Sequence, residues 1–429
     1  MKVILLSGGS GKRLWPLSND SRAKQFLKVL RNEENGQLES MVQRVYRQLS
    51  KVVCEQDMII ATNAAQVDIL RNQLGRIPIV VEPERRDTFP AIALACSYLW
   101  SKLGISKAER VAVVSVDAFV NDAFYRQVGE LGSLLQHTGA QVALLGIKPT
   151  YPSSKYGYMI PKTHNDYMQV AHFIEKPTEE KAQFLIDSGA YWNSGVFVFS
   201  LQLIYDYLQA GQFPYEFDEL EASFSSLPQK SFDYAVIEQL QHIVALTYDG
   251  DWKDLGTWNT LTEQMSQLIM GNGGMSDDCH NTHIINELEL PVKVLGASNM
   301  IVAVSADGIL VSDKPASSRM KDMLHEGLFS RPMYEERSWG WYRVLDHVKK
   351  ADQEILTRKI FVHAHQQMDY APHHVHSKVW TIVSGVATVT MHDERQTVTA
   401  GDVLHIPVNT AHCLSARQDI ELIEVQIGL

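Results

Sequence analysis

Leu5-Leu6-Ser7-Gly8-Gly9-Ser10-Gly11-Lys12-Arg13-Leu14-Trp15-Pro16-Leu17, continued by Arg22-Ala23-Lys24-Gln25-Phe26-Leu27, decides how the chain is read. The apolar run from Val3 to Leu6 predicts a strand, and Gly8, Gly9 and Gly11 follow it. Glycine lets a backbone approach a ligand closely and presents N–H groups as anion donors. Lys12, Arg13 and Lys24 add positive charge on either side of the loop. The pattern predicts a polyphosphate cradle delivered by a strand. It is not a Walker A loop, because Arg13 stands where Ser or Thr would hold magnesium. The glycine spacing is not the dinucleotide fingerprint either. A plain glycine turn after a strand fits the same residues, so the rest of the chain has to decide.

Working outward, residues 1 to about 150 alternate apolar runs with helical patterns. Strands are expected at 3–6, 58–62, 79–81, 111–116 and 140–146, and helices at 39–49 and 90–103. On the second of these helices Thr88 suits the N-cap and Pro90 the first turn. Alternation of this kind predicts an α/β, doubly wound, largely parallel sheet, whose ligands bind at the carboxyl ends of strands. Gly8–Arg13, Asp87 and Asp117 each follow a strand, so one crevice can hold them all.

Further residues carry chemistry. Glu82–Ala91 reads as a loop closing over a base or ribose, or as a charged start to a helix. Asp117 ends an apolar strand and suits Mg²⁺ beside phosphates. Asp254, in Trp252-Lys253-Asp254-Leu255-Gly256, supplies a second acid. In Phe173-Ile174-Glu175-Lys176-Pro177 an acid and a base are neighbours, and on a regular strand they would point to opposite faces. Near a turn both can enter one site, Glu175 toward sugar hydroxyls and Lys176 toward a sugar phosphate. Asn193 is a second candidate for a hydroxyl edge. An exposed ion pair before a proline turn is the plainer reading of Glu175 and Lys176.

The bulk properties narrow the class. The chain has 429 residues, 45% of them hydrophobic and 21% charged, with a net charge of −11. That composition supports two or three cored domains and argues against a duplex-binding protein. Cys54, Cys96, Cys279 and Cys413 are too scattered for a zinc or disulfide framework. With no signal-like leader after Met1 and no long apolar run, a cytoplasmic protein without membrane or nucleic-acid partners is expected. The Gly- and Asp-rich residues 271–280 mark a boundary. Short strands up to about 311 and a helix near 317–325 predict a small β segment with a packing or oligomer role. From Ser338 the pattern is almost all β, with turns at Gly385 and Gly401, and reads as a jelly roll. The expected domains are 1–270, 271–333 and 334–429.

Taken together, GGSGKRLWPLS with AKQFL, EPERRDTFPAIALA, VVSVDA, GIKPTYPSSKYGY, FIEKP, WNSGVFVFS, SFDYAVIE and WKDLGTWNTL resemble the bacterial mannose-1-phosphate guanylyltransferases. RSWGWYRVLD, VWTIVSGVATVTMHD and IPVNTAHCLSA are similar to the cupin of the bifunctional forms, which carry a type II mannose-6-phosphate isomerase. The resemblance implies a Rossmann-like nucleotidyltransferase domain with a mixed sheet, a β linker and a C-terminal cupin. It implies Mg²⁺-dependent transfer of GMP from GTP to a sugar 1-phosphate, mannose 1-phosphate first, in a homodimer. Other sugar phosphates or nucleotides, or a nucleotide-sugar sensor without turnover, are the alternatives.

By the same resemblance Arg13, Lys24, Asp117 and Asp254 are catalytic, and the two acids bind the metal. Leu6, Gly8, Gly9, Gly11, Lys12, Arg86, Asp87 and Thr88 contact the nucleotide. Gly157, Glu175, Lys176 and Asn193 contact the sugar phosphate. In the cupin, His374, His376 and His412 are the candidate metal ligands, but Lys378 stands where the family has Glu. An ammonium there opposes a divalent ion, which weighs against isomerase chemistry.

Overall fold

The computed structural model describes residues 1–9, 13–324, 332–350, 353–370, 376–392 and 394–428. The chain divides into two compact units. One contains residues 1–9, 24–256 and 263–265; the other contains 10–23, 257–262 and 266–429.

The first unit is built on a nine-stranded sheet. Its order is Ile79–Glu82, Met58–Asn63, Lys2–Leu6, Arg110–Ser115, Tyr191–Ser200, Val142–Ile147, Ile243–Tyr248, Met168–Ile174 and Tyr158–His164. The first four run parallel, as the alternating pattern predicts. Tyr191–Ser200 is antiparallel to both neighbours, so the sheet is mixed, not largely parallel. Near-continuous apolar sequence follows from burial on both faces: Val3, Ile4, Leu5, Val111, Ala112 and Val113 have no exposed surface.

The helices form where their signals stand. Met41–Leu49 starts at Ser40, which makes a capping box with Gln43. Thr88–Ser101 packs an almost wholly apolar surface into the core around Phe89, Ile92 and Leu99. Its N-cap is Asp87, not the expected Thr88: the Asp87 carboxylate accepts from Thr88 N at 2.7 Å. Ser231 caps the short helix Phe232–Ala235.

In the second unit, Ile269–Met270, His283–Asn286, Met300–Ser305 and Gly308–Asp313 form a four-stranded sheet. The helix expected near 317–325 is a 3-10 turn, Pro315–Arg319, followed by one α turn, Met320–Met323; His325 lies outside the described residues. The C-terminal part has sheets of six and four strands, as a jelly roll requires. Alternate residues point inward, and Ile360, Trp380, Leu414 and Leu422 form its core. Gly385 and Gly401 turn with φ of 91° and 94°, a region that favours glycine. Among the described residues no helix is long and apolar enough to cross a membrane.

Candidate active site

A pocket of about 460 Å³ opens at the carboxyl ends of the parallel strands. Leu6, Gly8, Gly9, Lys24, Arg86, Asp87, Thr88, Asp117, Gly157, Glu175, Asn193 and Asp254 all line it. Lys176 lies beside this lining and pairs with Glu175. Arg13 is exposed and outside the lining; Gly11 and Lys12 lie outside the described residues.

Its floor begins where Lys2–Leu6 ends. Thr62 Oγ1 and Gln25 Nε2 both donate to Ser7 O, each at 3.1 Å, and Gln66 Nε2 donates to Gly9 O at 3.0 Å. These side chains occupy the carbonyls of the glycine turn. Gly8 is glycine for a local reason: a Cβ there would stand 2.9 Å from Glu82 Oε1. Burial pushes the Glu82 carboxyl up to about 7, against the pull of Arg85.

Lys24 stands between two carboxylates at one end of the pocket. Its Nζ is 3.0 Å from Asp117 Oδ2 and 3.1 Å from Asp254 Oδ1. Burial alone would lower the Lys24 pKa, but the two carboxylates outweigh it and raise it. The acids meet because Lys253–Asp254 pairs antiparallel with Ala118–Phe119, setting Asp254 opposite Ala118. Ser115 also donates to Asp117. Two carboxylates sharing one cation form a hard oxygen donor set suited to Mg²⁺. Among the described residues no group of three or more His, Cys, Asp or Glu side chains converges on a metal position.

Beside the lining, Lys176 sits at a bend. Its φ is +44°, which bends the chain just after the strand Met168–Ile174. That bend brings neighbours together that a straight strand would separate: Lys176 Nζ is 2.8 Å from Glu175 Oε1. Burial raises the Glu175 carboxyl, and Lys176 only partly offsets this. Asn193 Nδ2 donates to Asp233 Oδ1 at 2.9 Å. Burial, with the Glu175 charge nearby, pushes Asp233 up to about 7. Tyr156 and Trp252 pack edge to face, centroids 5.3 Å apart, on the pocket wall.

Glu82, Gln25, Asp233 and Trp252 were not singled out from the sequence. All four lie inside the motifs AKQFL, EPERRDTFPAIALA, SFDYAVIE and WKDLGTWNTL, which is the signal the sequence offers.

A family model described as "Nucleotidyl transferase" matches residues 2–270. The chain belongs to the nucleotidyl transferase family. A second model, "Mannose-6-phosphate isomerase C-terminal", matches residues 329–429 of this nucleotidyltransferase. It is 29% identical to the xanthan biosynthesis protein XanB of Xanthomonas campestris pv. campestris (strain B100), over 99% of this chain and 95% of that one. It is 28% identical to the mannose-1-phosphate guanylyltransferase of Escherichia coli (strain K12), again over 99% and 95%. The crystal structure of mannose-1-phosphate geranyltransferase from Thermus thermophilus superposes with a TM-score of 0.62 at 27% identity, covering 75% of this chain and 97% of that one. The resemblance read from the motifs therefore holds along the chain.

The cupin site of this nucleotidyltransferase is occupied differently from what a metal needs. His412 Nδ1 lies 2.8 Å from Thr410 O, and His412 Nε2 lies 3.4 Å from Lys378 Nζ, so both ring nitrogens have neighbours. Lys378 is 1% exposed and Glu424 is fully buried. Arg358 pairs with Glu424, and Trp380 Nε1 donates to it at 2.9 Å. Burial pulls the Lys378 ammonium down to about 8 although Glu424 opposes this. An ammonium and a guanidinium at this position do not fit a divalent cation. His376 lies on the strand His376–Ser384, and His374 is outside the described residues.

Proposed function

We propose that the chain is a mannose-1-phosphate guanylyltransferase, moving GMP from GTP to mannose 1-phosphate and releasing pyrophosphate. The observation that carries this reading is Lys24 between Asp117 and Asp254 at the phosphate end of the pocket. Such transfers depend mainly on positioning and charge stabilisation.

In this reading an oxygen of the sugar phosphate attacks the α-phosphorus in line, and the bond to the β-phosphate oxygen breaks. The nucleophile is already an anion at neutral pH, so no general base is needed. Lys24 stabilises charge building on the α-phosphate. Asp117 and Asp254 would hold Mg²⁺, which would supply neutralisation of phosphate charge. The backbone of Gly8 and Gly9 faces the polyphosphate, and Arg13 is the candidate for the departing pyrophosphate. Lys176 holds the incoming phosphate, while Glu175, Asn193 and Gly157 shape the sugar pocket. The protein works as a homodimer in the cytoplasm, and its cupin contributes no isomerase step.

The test is pyrophosphate release across four nucleoside triphosphates and several sugar 1-phosphates, with and without Mg²⁺. GTP with mannose 1-phosphate should lead, and only with the metal. A different leading pair would keep the mechanism and change the substrates. No turnover with nucleotide sugar still bound would make the chain a sensor.

A further inference from the structure

Asp117 and Asp254 meet across a ladder only two residues long, Ala118–Phe119 against Lys253–Asp254, which stands apart from the nine-stranded sheet. A ladder this short does not fix its own register, because an isolated two-stranded pairing is marginal in water. Something behind it has to hold it. The helix Met41–Leu49 does so. Gln48 Nε2 and Arg44 Nη2 both donate to Val120 O, at 3.2 and 3.4 Å. The Arg44 guanidinium lies over the Phe119 ring, 4.5 Å from its centroid. Gln48 Nε2 also donates to Asp122 Oδ1 at 3.0 Å, and Lys51 Nζ donates to Asp122 Oδ2 at 2.8 Å. All these residues belong to the one compact unit that contains 24–256.

These contacts reach the ladder itself. Phe119, under the guanidinium, is the residue paired with Lys253, and Ala118 beside it is paired with Asp254. Val120 is 2% exposed, so its carbonyl needs a partner within the protein, which Arg44 and Gln48 supply. Both of these side chains are buried in turn. Arg44 is not needed to neutralise Glu39. Arg47 donates to that carboxylate from Nε at 3.1 Å and from Nη2 at 2.8 Å, whereas Arg44 Nη1 stands 3.4 Å away. The Arg44 fork is thus directed at a carbonyl and an aromatic face, two contacts that fix where Phe119 and Val120 lie.

We propose that Arg44 and Gln48 are positioning residues that, by holding Phe119 and Val120, keep Asp117 and Asp254 at the spacing a divalent cation needs. Groups behind the ligands of a metal orient those ligands and tune its affinity. The inference rests on the reading of these two acids as the Mg²⁺ pair, and its first measurement needs no turnover.

The experiment compares wild type, Arg44→Ala, Arg44→Lys, Gln48→Met and Asp117→Asn in the full-length chain, with Mn²⁺ as the probe and no nucleotide present. Free Mn²⁺ is titrated by paramagnetic resonance, and the melting temperature of each variant is followed beside it. Mn²⁺ should bind Arg44→Ala and Gln48→Met about 10- to 100-fold more weakly than wild type. Arg44→Lys keeps the charge without the planar fork and should fall between. The sign separates positioning from charge, since loss of a nearby cation by itself would tighten Mn²⁺ binding. Guanidinium ion should restore affinity to Arg44→Ala, entering by the cavity of about 340 Å³ that Arg44 and Gln48 line, and should do nothing for Gln48→Met. The Mg²⁺ concentration for half-maximal pyrophosphate release should rise in parallel. Unchanged or tighter Mn²⁺ binding in folded Gln48→Met and Arg44→Lys overturns the proposal. Absent Mn²⁺ binding in wild type, or binding that Asp117→Asn leaves intact, overturns it as well. Weaker binding in the variants of a chain whose wild type shows no turnover supports the positioning role and removes only the transferase reading.

Discussion

A Cβ placed on Gly157 would stand 2.5 Å from Glu175 Oε2 and 2.6 Å from the Phe173 ring. The glycine is there to let the Glu175 carboxylate lie flat against the backbone. Gly157→Ala must displace that carboxylate or the Phe173 ring in the pocket wall. Overpacking of this kind costs about 1–3 kcal/mol. If the strain falls on substrate binding, kcat/KM for the sugar phosphate drops by about 5- to 100-fold. The KM for the nucleotide should stay within a factor of about two. Initial rates with each substrate varied check this, and a shift confined to the nucleotide would place Gly157 outside the sugar pocket.

Removing the Lys24 ammonium has two separable effects. Lys24→Ala should lower kcat by about 100- to 1,000-fold, as loss of a charge-stabilising donor does. It also leaves Asp117 and Asp254 without the cation they share. Without nucleotide, Mn²⁺ should therefore bind the variant more tightly than wild type, as titration by paramagnetic resonance would measure. Weaker Mn²⁺ binding would remove the two acids from the metal assignment.

Asp233 gives a pH signature. Its folded-state value is raised from the ordinary 3.8 to about 7, so the folded protein holds this proton more tightly than the unfolded chain does. The group's contribution to stability is complete below about pH 4 and is lost as pH rises to about 7. Asp233→Asn has no such proton to lose. The melting temperature of the variant minus that of wild type should therefore increase between pH 5 and pH 8. A flat difference would mean that Asp233 is not desolvated in solution.

The cupin interior offers a stability test. Glu424 is fully buried, pairs with Arg358 and accepts from Trp380. Removing one partner of a buried pair typically costs about 3–5 kcal/mol. Glu424→Gln strands Arg358 and Lys378 together and should lower the unfolding midpoint in urea accordingly. Lys378→Met removes only a cation whose burial is already unfavourable, so its midpoint should move far less. Equal losses would show that Lys378 and Arg358 share Glu424 evenly.

Much of this was legible because the signals are local. Val3–Leu6 followed by glycines, and Val113–Val116 followed by Asp117, place ligands at strand ends by pattern alone. Lys24, Glu175 and Asn193 were named as site residues on motif and resemblance, and all three line one pocket. What stayed hidden depends on tertiary context. Asp87 caps its helix with φ of +73°, which a non-glycine residue seldom adopts, so Thr88 looked the better cap. Glu82 opens the loop 82–91 and Asp233 stands within SFDYAVIE, and nothing local in a sequence marks a carboxylate as desolvated. The antiparallel pairing of Tyr191–Ser200 leaves the same apolar run as parallel pairing would. Arg22 and Glu287, 265 positions apart, have no shared period that could announce their contact.

That long separation has a meaning during synthesis. Chains emerge at about 5–20 residues per second, so Arg22 waits about 15–50 seconds for Glu287 to leave the ribosome. The first 256 residues can lay down their sheet in that time, before Trp258, Ser305 and Glu287, which bond Trp15, Pro16 and Arg22, have been made. Those long-range bonds can form only once the later parts of the chain have arrived.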